Sequence, residues 1–220
     1  MTTITSEIWQ VGGAGFTAAE DAAVYLMCFN GRAAIVDAGC GGQTDRLAAN
    51  IDGCGIVSDQ VDYLLLTHCH FDHTGGAEAV RGDFDCDMVI HEGDAAPLME
   101  GDSQRTAAHW YGRTMPPLKP DVILSGTENR IELGDRHVTA IHTPGHTPGS
   151  VVYVVESDGL RVLFGQDVHG PLHPDFGSDA QAYRRSLLRM ADLDADVLCE
   201  GHYGIIRGAG EVRAFIRSFL

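Results

Sequence analysis

Short apolar runs separated by turn-forming residues dominate the chain. Two of them, at 24–29 and 33–36, flank Asn30-Gly31, a dipeptide that closes two-residue hairpins, so a β-hairpin is expected there. Runs at 61–66, 88–91, 122–124, 130–133, 137–141, 151–155, 161–164 and 197–199 read as further strands. Helical spacing falls at 47–51, 75–81, 179–190 and 211–219. The stretch 94–111 also reads as helical. It ends before Met115-Pro116-Pro117-Leu118-Lys119-Pro120, where the prolines exclude a helix. There is no repeat at a solenoid period. Hairpin spacing in both halves favours mixed sheets, leaving a doubly wound sheet or a two-sheet sandwich flanked by helices.

Composition narrows the classes. A chain of 220 residues fits one domain with a core large enough to need no staples. The net charge of −16, from 15 basic and 31 acidic residues, disfavours nucleic acid and anionic membrane surfaces as partners. Six cysteines occur without a C-x-x-C pair, and residues 1–12 hold no basic residue and no apolar run. No stretch reaches 18 uninterrupted apolar residues. A cytoplasmic protein with reduced thiols is expected. A small-molecule substrate is expected as well, and a homodimer is allowed.

The chemistry concentrates in Thr67-His68-Cys69-His70-Phe71-Asp72-His73. In an extended chain His68 and His70 share one face, and Cys69 turns to the core. A turn eased by Gly75-Gly76 then brings Asp72 and His73 to a second face of the same spot. Downstream, His146 sits between two Pro-Gly turns, Asp167 ends a strand, and His202 follows another strand end at Glu200-Gly201. His142 lies four residues before His146, but the prolines and glycines around it exclude the helix that would pair the two, so only His146 is read as a ligand. His91 reads as a packing residue. His169 and His173 read as loop histidines near the Asp167 end, in reach of substrate or simply facing solvent.

In this order the residues resemble the metallo-β-lactamase superfamily, over the span from about residue 37 to residue 202. The motif order is Asp37, then His68, His70, Asp72 and His73, then His146, Asp167 and His202. The resemblance implies an α+β fold, an αββα sandwich of two mixed sheets with the metals at one edge. It implies that His68, His70 and His146 hold a first ion, that Asp72, His73 and His202 hold a second, and that Asp167 bridges them. Asp37 would orient the ligands from behind. Two divalent ions are expected: zinc fits this donor set, and manganese and iron also accept it.

Within the superfamily, the best-known zinc β-lactamases carry Cys where this chain has Asp167. Asp167 therefore implies a likeness to the glyoxalase II and acyl-homoserine lactonase branch. Two features depart from those enzymes. Only 18 residues follow His202, too few for a glutathione-binding domain, and Gly170 stands where the lactonases carry Tyr. The expectation is a hydrolase that uses a metal-bridged hydroxide on a lactone, thioester or ester, with Asp72 receiving a proton. Persulfide dioxygenase with a single iron, phosphodiesterase and a non-catalytic binding module are the alternatives. The segment 94–120 holds none of the seven candidate ligands. It is expected to act as a substrate-selecting insertion or lid, through Met99, Trp110, Tyr111, Met115 and Leu118, while His109 either joins that pocket or merely covers the domain.

Overall fold

A computed structural model describes all 220 residues, the side chain of Gln166 excepted. The first sheet runs in chain order through β1 (Thr2–Thr5), β2 (Ile8–Gly12), β3 (Val24–Phe29), β4 (Arg32–Val36), β5 (Val61–Leu65), β6 (Asp87–His91) and β7 (Val122–Leu124). The second is formed by β8 (Glu128–Leu133), β9 (Arg136–His142), β10 (Val151–Ser157), β11 (Leu160–Gln166), β12 (Val197–Glu200) and β13 (Gly204–Arg207), in the spatial order β13-β12-β11-β10-β9-β8. Both sheets are mixed. β4 through β7 pair in parallel, as do β11 and β12, and the remaining pairs are antiparallel.

The alternation of side chains sorts the core into three apolar layers. On β3, Tyr25 and Met27 enter the space between the sheets while Val24 and Leu26 face outward. On β10, Val151, Tyr153 and Val155 face inward and Val152 outward. The outward face of the first sheet is covered by α1 (Thr44–Asp52), α3 (Ala77–Phe84) and α4 (Glu92–Glu100) through Leu47, Ile51, Val80, Phe84 and Leu98. The outward face of the second is covered by α5 (Ala180–Ala191) and α6 (Ala209–Arg217) through Leu187, Met190, Val212 and Ile216. A strand buried on both faces reads as a continuous apolar run, which is why β3, β4, β10 and β11 stood out in the sequence. The fold is thus helix layer, sheet, sheet, helix layer, the αββα sandwich expected.

Several local expectations need correction. β1, β2 and β13 carried no expectation because their few apolar positions are diluted by Thr, Gln and Gly. The turn expected from His70 to His73 takes the form of one short helix, α2 (Phe71–Thr74). The helical stretch expected at 94–111 divides: α4 ends at Glu100, Gly101 takes a left-handed conformation, and a 3-10 turn forms at Ala108–Tyr111. Of the residues expected to line a pocket from this segment, Met115 and Leu118 pack in the outer core with Leu98, and Met99 is exposed. Among the described residues no helix is long and apolar enough to cross a membrane.

Candidate metal centre

Strand ends deliver the site. β4 ends just before Asp37, β5 just before the His68 motif, β11 just before Asp167 and β12 two residues before His202. The β9–β10 loop supplies His146. Two buried tyrosines fix these ends from the inter-sheet core. Tyr153 donates its hydroxyl to the Leu66 carbonyl at 2.8 Å, and Tyr25 donates to the Glu200 carbonyl at 2.8 Å. α2 is pressed against the loop after β4, where a side chain on Gly76 would collide with the Ala38 carbonyl, so the close approach requires glycine there. Gly145, at φ +139°, has the backbone of Tyr183 where a Cβ would stand. That contact seats the N-terminal turn of α5, capped by Asp179, on the His146 loop.

The seven candidate ligands come together. His68, His70, His146 and Asp167 offer ligand atoms within 4.8 Å of one another, and so do Asp72, His73 and His202. His146 Nε2 lies 2.9 Å from His70 Nδ1 and 3.3 Å from Asp167 Oδ2. On the other side, His73 Nε2 lies 3.1 Å and His202 Nε2 3.3 Å from Asp167 Oδ1, and His202 Nε2 lies 3.3 Å from Asp72 Oδ2. Asp167 therefore divides its two oxygens between two groups of donors.

Three of the histidines are held from behind. His73 donates Nδ1–H to Asp37 Oδ2 at 2.6 Å, His146 Nδ1 faces the Pro171 carbonyl at 2.8 Å, and His68 Nδ1 lies 3.0 Å from the Thr67 hydroxyl. Asp37, fully buried and at φ +61°, also accepts from the Thr67 amide and hydroxyl at 2.8 Å each. Such an aspartate in the left-handed region is strain kept where the surroundings over-determine it. Asp94 was missed by the sequence reading, which placed it at the start of the lid. It is fully buried and accepts from the Cys69 amide at 2.9 Å, the Thr147 hydroxyl at 2.7 Å and the Gly149 amide at 2.7 Å. It joins the loop of His68 and His70 to the loop of His146. The only signal for it was an acid soon after a strand end.

The donor set fits a cation. His68 Nε2, His73 Nε2 and Asp167 Oδ1 are buried with no hydrogen-bond partner among the described residues, although buried polar atoms are almost always paired. Burial holds the His68 and His70 imidazoles well below their ordinary value, as neutral donors. Burial would lift the Asp167 carboxyl, but His73, His146 and His202 outweigh it and hold that carboxyl well below the usual range. At His202 burial opposes protonation and the Asp167 and Asp72 carboxylates overcome it, raising the imidazole to about 10.

The other histidines divide. His91 ends β6 and stacks on His142, rings 3.9 Å apart, and each Nε2 faces a backbone carbonyl, so both are packing residues. His109 is exposed. A cavity of about 170 Å³ opens beside the donors, bounded by Trp110, Tyr111, His169 and Phe176. Trp110 is 51% exposed and tilts over the buried Phe176 ring at 4.8 Å. Tyr111 directs its hydroxyl at Asp72, where burial and that carboxylate push the phenol up and keep its proton on.

Residues 19–202 match the family model described as the metallo-beta-lactamase superfamily. A probable metallo-hydrolase of Methanocaldococcus jannaschii is 32% identical over 56% of this chain and 57% of its own. An acyl-coenzyme A thioesterase of Gallus gallus is 28% identical over 66% of this chain and 56% of its own. The chain thus spans little more than half the length of these curated relatives. Among solved structures, a metallo-beta-lactamase of Cronobacter sakazakii superposes with a TM-score of 0.80 at 19% identity, covering 98% of this chain and 90% of that one. The native FEZ-1 metallo-beta-lactamase of Legionella gormanii gives 0.74 at 20% identity, over 90% and 78%. At such identities the likeness is one of fold.

Proposed function

The chain belongs to the metallo-beta-lactamase superfamily, and from that premise we propose that it is a metal-dependent hydrolase of a small ester-like bond, a lactone, thioester or ester, working with two divalent ions. The observation that carries this reading is the division of the Asp167 oxygens between two converging groups of imidazole nitrogens. His68, His70 and His146 would hold one ion, Asp72, His73 and His202 the other, with Asp167 between them. Bound there, such ions bring the pKa of water from 15.7 to about 7 and polarise a carbonyl. Zinc suits the set of imidazoles and carboxylates.

The chain's own residues do the rest. Asp72 lines the cavity and lies between His202 and the Tyr111 hydroxyl. It is placed to receive a proton as the scissile bond breaks. Tyr111, whose phenol stays protonated, directs that proton at Asp72 and holds this carboxylate in place beside the cavity. Trp110 over Phe176 forms an apolar wall that suits an acyl group and excludes water from one side. The acyl-coenzyme A thioesterase relative supports a thioester among the candidate bonds. We place the selection of substrate in the segment 94–120, now narrowed to its Trp110–Tyr111 turn.

The test is metal counting by native mass spectrometry together with a panel of lactone, thioester, ester and phosphodiester substrates. Two ions per chain and turnover of a carboxylic ester-type bond are expected. A protein that saturates with one ion, or cleaves only the phosphodiester, overturns the reading.

A further inference from the structure

Glu200, the last residue of β12, is fully buried, and no candidate ligand bonds to its carboxylate through a side chain. Its Oε2 accepts from the His202 amide at 2.7 Å and the Tyr203 amide at 2.9 Å, and its Oε1 from His169 Nδ1 at 2.8 Å. His169 is its only side-chain partner among the described residues. A buried carboxylate is costly without a compensating positive charge nearby. Two amides and one imidazole are the groups that meet this carboxylate.

The ring that Glu200 holds lies beside the centre. With Nδ1 facing the carboxylate, Nε2 is the ring nitrogen left to ligate. The side chain is only 19% exposed, and its ligand atom lies within 4.8 Å of those of Asp167 and His202. Its ring sits 5.1 Å from that of His202 and 5.1 Å from that of Tyr203. The same arrangement recurs at His73, held by Asp37 on one nitrogen with the other turned to Asp167. By contrast His173, four residues further along the same loop, is 41% exposed and takes the Asp175 amide on Nδ1 as a local cap.

We propose that His169 is a further ligand of the second metal site, sharing its ion with Asp167 and His202, and that Glu200 is the residue that positions it. This rests on the two-ion reading above. A carboxylate holding the far nitrogen of a ligating imidazole fixes the tautomer and raises the basicity of the near one. A cation held by the ring would add a positive charge on its far side from the buried Glu200. The second site then draws protein donors from three places, α2, the β11 end loop and the β12 end.

Zinc affinities of the intact protein and its variants, measured by competition with a chelator and by native mass spectrometry, test the assignment. His169→Ala is expected to bind the first zinc as the parent does and the second about 10–100-fold more weakly. Glu200→Gln keeps the shape and removes the charge, and is expected to weaken the second site by a smaller factor. His173→Ala is expected to change nothing. In cobalt-loaded protein the visible absorption should strengthen in His169→Ala, as it does when cobalt loses a ligand. His169 lies on a partly exposed loop, and thermal melting of the metal-free variant checks that the fold is kept. Parental affinity at both sites in His169→Ala, with or without a raised KM, overturns the ligand and leaves the hydrolase reading standing. A parent that takes up no zinc at all overturns both.

Discussion

The two donor groups that share Asp167 are built differently. His68, His70 and His146 come from the segment after β5 and from the β9–β10 loop, each 4% exposed or less. Burial keeps two of them neutral, ready to ligate without giving up a proton. Asp72, His73 and His202 form a charged network, and the His202 side chain is 32% exposed at the cleft. There carboxylates hold protons on His73 and His202 that an arriving ion must displace. The first group resembles a socket formed in advance. The second is a proton-filled network that opens toward substrate. On the two-ion reading proposed above, this difference predicts that the second site is the weaker one and that it governs the response to pH.

The largest expected effect joins the two groups. Asp167→Ala should remove ions from both sites and lower kcat/KM by more than about 10³-fold, beyond the 10²–10³ typical of losing one stabilising donor. Metal analysis that finds one site still full would show the groups to be independent. Next, Asp37→Asn keeps a residue suited to the left-handed backbone but removes the charge behind His73. Metal affinity should fall about 10–100-fold at the second site and remain near the parental value at the first. Equal losses at both would erase the asymmetry.

The contrast also has a pH signature. Loading zinc into the metal-free protein at pH 7 should release about one to two protons per chain, seen with an indicator dye in weak buffer. In the metal-free protein the folded pKa of His202, about 10, lies above its ordinary value of 6.5. Its contribution to stability is therefore fully present below pH 6.5 and is lost as the pH climbs through 10. Melting temperature should decline across that window, and less so in His202→Ala. The smallest effect lies at the rim. Trp110→Ala should leave metal content unchanged and shift the ratio of kcat/KM between long and short acyl substrates by about 10-fold, the scale of one or two methylene contacts. A uniform loss over all chain lengths would make Trp110 a structural cover.

The sequence shows the donors more clearly than what holds them. His68, His70, Asp72 and His73 lie within six residues, so their convergence needs only one turn of chain. His146, Asp167 and His202 were readable because each follows a strand end or sits in a proline-glycine loop, and the motif order linked them. Asp94 escaped because two of its three partners, Thr147 and Gly149, lie more than 50 residues away, and only the packing of one sheet on the other brings them together. The grip of Glu200 on His169 has the same origin, across 31 residues. Strands buried on both faces announced themselves as apolar runs. The edge strands β1 and β13 did not, since an edge needs fewer apolar positions. The segment 94–120 was half legible: Trp110 and Tyr111 line the cavity beside the donors, but Met115 and Leu118 pack in the core.

The three hydrogen bonds of Asp94 also make a mechanical statement. One carboxylate ties an amide that follows the first sheet to an amide and a hydroxyl of a loop in the second. Neither loop can shift relative to the other without breaking a charge-assisted bond inside a dry interior. The amides of Cys69 and Gly149, though 80 positions apart along the chain, should therefore exchange their hydrogens with solvent in a single opening event. The spacing between His68 and His146 is then set as a rivet sets the gap between two plates, before any ion arrives.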